Sequence, residues 1–151
     1  MIKKLAVFLL SLLGISILLT IIWINGAQVQ YALLFKPAAI FMFKTLGIHK
    51  SGLNFVLEHF TNLIPYIALC LSIPNTSWKK KLTRLGYGLG ILMVVHFTLI
   101  IAVSKVYSVY SNSETAYIFI FPMFIINDTL PLLLWFLFFS NEVLSFFKRK
   151  T

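Results

Sequence analysis

Acidic residues are scarce in this chain, and charged residues of either sign are few. Only 4 of its 151 residues are Asp or Glu, and charged residues make up 11% of the sequence. Hydrophobic residues make up 60%, well above their share in an ordinary soluble domain. They come in long runs of about 20 residues, the length that a helix needs to cross a bilayer. The sequence therefore predicts an all-α membrane protein with a single transmembrane domain over residues 1–151.

Cysteine is nearly absent, since Cys70 is the only one. An intramolecular disulfide is therefore excluded. Cys70 lies within an apolar run, without an evident base close to it, so we expect a buried and unreactive thiol.

The basic excess needs a different explanation from that in a soluble protein. The net charge is +9, but the basic residues cluster at the ends of the apolar runs. No basic face with interleaved aromatic residues occurs outside those runs, which argues against binding of nucleic acid. We expect these residues to set the topology and to contact anionic lipid head groups.

Four apolar runs predict a bundle of four transmembrane helices. The runs cover residues 5–25, 54–74, 85–104 and 116–139. The first is too long for the apolar core of a signal peptide, so we expect an uncleaved helix with Trp23 at the far interface. Residues 31–48 are apolar but broken by Lys36 and Pro37, which predicts an amphipathic segment lying in the interface. A tilted spanning helix is the alternative for this segment.

The distribution of Lys and Arg predicts the orientation. With four spans and a cytoplasmic amino terminus, nine of these residues lie inside and four outside. If residues 31–48 also spanned, the basic loop at 79–84 would face outward while the first lysines faced inward. We therefore expect both termini in the cytoplasm.

Polar residues inside the predicted spans are the main functional signal. They come from three different helices, and at about 1.5 Å per residue they occupy overlapping depths. Ionisable groups within spans usually face a bundle interior or a cavity. We predict an intramembrane polar cluster made of Glu58, His59, Asn62, His96, Asn127 and Asp128.

Pro131 strengthens this prediction. Proline has no N–H, so the carbonyl of Asn127, four residues earlier, loses its helical partner and needs another donor. We expect a kinked, locally polar site, in which Asp128 meets a polar group such as His59 or His96. Contact between helices of this chain, contact with a partner protein, and a proton or substrate role all remain open for Asp128.

Two other patterns carry weaker signals. Gly86 and Gly90 in "LGYGLG" lie four residues apart, which favours close helix packing. The His, Glu and Asp residues of the polar cluster do not have the spacing of a known metal motif, so we predict no metal site and no cofactor.

The stretch "LIPYIALCLSIP…KKKLTRLGYGLGILMVVH", from Leu63 onward, resembles small accessory membrane proteins associated with exosortases, particularly the exosortase H type. In these, a "P-x-x-A-L" helix leads to a basic loop and a Gly-rich helix start, and "LPLLLWFLFF" is similar to their ending. The resemblance covers about two thirds of the chain. It implies an accessory role in sorting envelope proteins at a bacterial inner membrane, and it implies no catalysis.

Three functional hypotheses follow. The first is a non-enzymatic accessory or scaffold subunit that binds a membrane protein partner, or a second copy, through its polar residues and its Gly86/Gly90 face. The second is a small transporter or channel component with a proton or substrate path through Asp128, His96 and His59. An intramembrane enzyme ranks last, because no convincing pair of nucleophile and base is present.

Overall fold

The computed structural model describes residues 2–48, 58–110 and 113–147. Helix accounts for 94% of these residues, and none of them is in a strand, so the predicted all-α fold is confirmed. Three stretches within the described ranges are long and apolar enough to cross a membrane: Leu5–Leu46, Trp78–Val109 and Glu114–Ser145. The number of spans and the orientation of the termini stay predictions.

The amino-terminal third is a long helix broken by a kink. Helix α1 (Ile2–Ile22) continues through a π-type turn (Trp23–Ala27) into helix α2 (Gln28–Leu46). Gly26 has a φ of 119° in this turn, a conformation that only glycine adopts without strain. The kink lets α1 pack against one part of the molecule and α2 against another.

Helix α2 continues through Pro37 without a break. It packs on the next long helix through a buried face that includes Phe35 and Ala39. Trp23 is only 8% exposed and packs on Tyr31, with ring centroids 5.7 Å apart. The ring of Trp23 therefore faces the core and not the lipid, and its position at the far interface stays a prediction. Placement of residues 31–48 in the interface stays a prediction.

The predicted second span contains only a short α-helix in its described part. A 3-10 turn (Glu58–Asn62) leads into helix α3 (Leu63–Ser72), while residues 54–57 lie outside the described residues. Pro65 fits the first turn of α3, where N–H groups have no intrahelical acceptor. Pro74 favours an extended residue before it, and Ile73 is extended, so the helix ends at Ser72.

Two long helices complete the fold. Helix α4 (Trp78–Val109) has 32 residues and helix α5 (Ser113–Phe147) has 35, so both extend beyond the apolar runs that predicted them. They pack against each other, and α3 packs against α1, α4 and α5. Helix α3 therefore lies at the centre of the described bundle. Its preceding 3-10 turn projects polar side chains between the midpoints of α4 and α5.

Candidate functional site

Five of the six residues of the predicted cluster come together in the structure. His59 and Asn62 belong to the 3-10 turn, His96 lies in the middle of α4, and Asn127 and Asp128 lie in the middle of α5. The sixth, Glu58, begins the 3-10 turn, and its side chain lies outside the part of the chain that the structure describes.

The carbonyl of Asn127 accepts a hydrogen bond from a side chain, which replaces the N–H that Pro131 lacks. Asn62 Nδ2 donates to this carbonyl over 2.9 Å. Pro131 removes the N–H that would otherwise occupy it in the helix. The 3-10 turn is thus fixed to α5 at the position where proline opens the backbone.

This bond determines the hydrogen-bonding roles of the neighbouring groups. A backbone carbonyl only accepts, so the amide nitrogen of Asn62 must face Asn127, and Asn62 Oδ1 must face His96. His96 Nε2–H therefore donates to Asn62 Oδ1 over 2.9 Å. In the neutral ring, Nδ1 is then an acceptor, and the hydroxyl of Tyr31 donates to it over 2.8 Å. One carbonyl in this way selects an amide orientation and a histidine tautomer.

Aromatic rings enclose His96. Its side chain is fully buried, and Phe60 stacks on it with ring centroids 4.4 Å apart. Tyr31 meets both rings edge-on, at 5.7 Å from His96 and 5.5 Å from Phe60. Both ring nitrogens are occupied, and Phe60 covers one face of the ring. The arrangement suits a histidine that holds helices together rather than one that receives a substrate.

The other half of the cluster opens to the surface. His59 Nδ1 donates to Asp128 Oδ2 over 3.3 Å, and the ring of His59 stacks on Phe124 at 3.6 Å. The Asp128 side chain is 50% exposed and that of His59 is 29% exposed. Asp128 Oδ1 also accepts from Asn127 Nδ2 over 3.2 Å. A carboxylate held on one side is thus available on the other.

Asn127 links the two halves of the cluster. Its Nδ2 also donates to the carbonyl of His59 over 3.1 Å. The carbonyl of His59 and the carboxylate of Asp128 can only accept hydrogen bonds, so the NH2 group of Asn127 must face them. Oδ1 of Asn127 therefore points away from both. That oxygen is buried and has no hydrogen-bond partner among the residues that the structure describes. Asn127 therefore keeps one unused acceptor inside the molecule.

Within the described part of the chain, Gly86 and Gly90 pack against no other helix, and their packing on a partner stays a prediction. Both are exposed, and a Cβ added at either would meet no atom within 4 Å. The close approach is at Gly88, where an added Cβ would overlap the hydroxyl end of Tyr66. Tyr66 is fully buried, and its hydroxyl donates to the carbonyl of Arg84 over 2.9 Å. The rotation of α4 about its axis thus turns Gly88 toward α3, whereas Gly86 and Gly90 face away from it.

Sequence reasoning missed two groups. Tyr31 was assigned to a separate interfacial segment, although a tyrosine within an apolar helix needs a partner for its hydroxyl. Arg84 was assigned to a basic loop, whereas its Nη1 donates to Glu142 Oε1 over 2.7 Å in a largely buried ion pair between α4 and α5. The sequence feature that could have indicated this ion pair is Glu142, because the chain has few acidic residues and this one lies near the end of a predicted helix.

Cys70 is free and buried, as expected from its apolar surroundings. Among the described residues, no group of three or more His, Cys, Asp or Glu side chains is placed to hold a metal ion.

No protein-family model matches this chain, and neither a curated protein nor a solved structure gives a match.

Proposed function

We propose that this chain is a non-enzymatic accessory or scaffold subunit of a membrane complex, and that Asp128 and His59 bind a polar group on a partner helix. The observation that carries the proposal is the half-exposed His59–Asp128 pair at the midpoint of a long apolar helix. The proposed location is a bacterial inner membrane with both termini in the cytoplasm.

The surroundings of Asp128 make its exposure costly without a partner. Ile125 and Leu132 lie three residues before and four residues after it, on the same face of α5, and both are exposed. A charged side chain at the centre of a spanning helix costs about 2.5–3.5 kcal/mol by insertion scales. A donor from a partner helix would offset much of this cost. The flanking apolar side chains would then pack against the same helix.

The exposed glycines of α4 offer a second place of contact. Gly86 and Gly90 have open space where their side chains would be. Small residues four apart allow the backbones of two membrane helices to approach closely. In this proposal the partner uses them for packing and Asp128 for specificity.

The transport hypothesis has less support. Between Asp128 and His96, the hydrogen bonds pass through the amide of Asn127, its backbone carbonyl and the amide of Asn62. Amide groups are too weakly acidic and basic to hand on protons near neutral pH. A proton path joining Asp128 to His96 would therefore need a route other than these bonds.

A role in exosortase-type sorting of envelope proteins forms the most specific version of the proposal. Its support is the sequence resemblance around "LIPYIALCLSIP", and the partner would then be a component of that machinery.

The mass and composition of the native complex after extraction in a mild detergent test this proposal. We expect a second protein in a fixed ratio with the unaltered chain. Asp128→Asn should release that protein while the chain stays folded, because the amide keeps the shape but loses the charge. Glu114→Gln, which removes an exposed acid from the same helix, is the matched control and should retain the partner.

Two results would contradict the proposal. One is a lone monomer, or a complex of identical copies, with the unaltered chain. The other is a partner that Asp128→Asn and Glu114→Gln retain equally. Proton-coupled flux that Asp128→Asn abolishes would favour the transport hypothesis instead.

A further inference from the structure

An open groove runs between α2 and α4, and its described lining includes none of the residues of the polar cluster. Its volume is about 400 Å³. Helix α2 contributes Met42 and Leu46, and helix α4 contributes Phe97, Ile101 and Ala102. The lining therefore extends for about one turn along α2 and, from Phe97 to Lys105, for about two turns along α4. Apolar side chains form most of this lining.

The groove has one charged end. Thr98 also lines it, but the Thr98 hydroxyl donates to the carbonyl of Val94 over 2.9 Å, within its own helix. Among the described lining residues, the other polar side chain is that of Lys105, whose Nζ donates to the carbonyl of Leu46 over 3.0 Å. An ammonium group has three N–H donors, so two are available to a ligand. None of the described residues that line the groove is acidic.

A second groove lies on the other side of α2, near the same end. It has a volume of about 360 Å³, and Ile40, Phe43 and Lys44 are among its lining residues. Lys44 belongs to the last turn of α2 and is exposed. Two largely apolar grooves therefore flank the end of α2, and the described lining residues of each include one lysine.

We propose that this end of α2 is a binding site for an anionic phospholipid. One acyl chain lies in the groove between α2 and α4, and the phosphate contacts Lys105, with Lys44 adding positive potential. Charge complementarity selects the lipid, since the apolar lining fits an acyl chain and the lysines fit an anionic head group. The proposal is independent of the partner proposed for Asp128.

Native mass spectrometry of the delipidated protein tests this site. The probes are phosphatidylglycerol and phosphatidylcholine with identical acyl chains. We expect phosphatidylglycerol to be retained preferentially, and Lys105→Gln to weaken its binding on the order of fivefold, the effect of one basic residue at a membrane surface. Lys36→Gln is the matched control, since Lys36 is an exposed lysine of α2 outside both groove linings, and should leave binding unchanged.

A second variant separates the groove from the charge. Ala102→Phe fills the groove without changing any charge and should abolish retention of the lipid, while Lys105→Arg should preserve it. Equal retention of both lipids would overturn the proposal, as would unchanged binding by Ala102→Phe. Occupation of the groove by a second copy, seen as a dimer that Ala102→Phe dissociates in the absence of lipid, would also overturn it.

Discussion

The two halves of the polar cluster differ in what surrounds them. His96 is fully buried and uses both ring nitrogens within the chain. His59, from the other half, is partly exposed and pairs with an aspartate that is itself half-exposed. The first arrangement is closed and complete. The second is open, since half of the Asp128 side chain is exposed.

Neighbouring residues on one helix produce this difference. Asn127 and Asp128 are consecutive, so their side chains leave α5 about 100° apart. Asn127 is fully buried and joins the 3-10 turn to α5, whereas Asp128 faces outward beside Ile125. Burial thus distinguishes a polar residue that stabilises the fold from one that is available for binding. The predictions below test this distinction, and the largest expected effect comes first.

Truncation of the Asn62 side chain tests the closed half of the polar cluster. Asn62→Ala leaves His96 Nε2–H and the carbonyl of Asn127 without their partner inside the molecule. Buried groups left unpaired cost about 1–3 kcal/mol each, so we expect a loss of about 3 kcal/mol in the free energy of unfolding. Denaturant titration in mixed micelles measures this change. Asn141→Ala, at an exposed asparagine of α5, is the control and should change it by less than about 0.5 kcal/mol. Equal effects of the two substitutions would show that the buried bonds contribute little.

The glycines of α4 allow the same comparison for helix faces. Gly88 lies on a buried face, and Gly86 lies on an exposed one. Gly88→Ala places a methyl group against the buried hydroxyl of Tyr66. Overpacking of this kind costs about 1–3 kcal/mol, so we expect a loss of about 2 kcal/mol in the free energy of unfolding. Gly86→Ala meets open space, and the better helix propensity of alanine should make it neutral or stabilising by up to about 1 kcal/mol.

The same titration of both glycine variants checks this prediction. A stable Gly88→Ala protein would place α3 farther from α4 than the structure has it. Strong destabilisation by Gly86→Ala in the isolated chain would mean that this face is covered within the chain.

The sequence was informative where a single residue type determines which hydrogen bond must be made. Pro131 removes a known hydrogen bond from a known carbonyl, so the requirement for another donor at Asn127 follows from local chemistry alone. The concentration of polar residues at similar depths also followed from hydropathy and helix rise. Neither argument needed the packing of the helices.

The sequence was uninformative where the outcome depends on the path of the chain or the rotation of a helix. Tyr31 contacts His96 because the turn at Gly26 directs α2 along α4, and no local pattern specifies that direction. Gly88, rather than Gly86 or Gly90, faces α3 because of the rotation of α4 about its axis. A spacing of four residues is equally compatible with a buried face and an exposed one.

The central claim is that the open half of the cluster is a binding surface for a partner protein. Photo-crosslinking from the Asp128 face of α5 tests this claim most directly. Ile125 and Ile126 are adjacent, 49% and 63% exposed, and lie on different sides of α5. Ile125 shares a face with Asp128, whereas Ile126 points about 160° away from it. A photoreactive residue at each position, activated in intact membranes, reports what lies beside each side of the helix. We predict a discrete adduct with one protein from position 125 and lipid adducts alone from position 126. Lipid adducts alone from both positions would contradict the account.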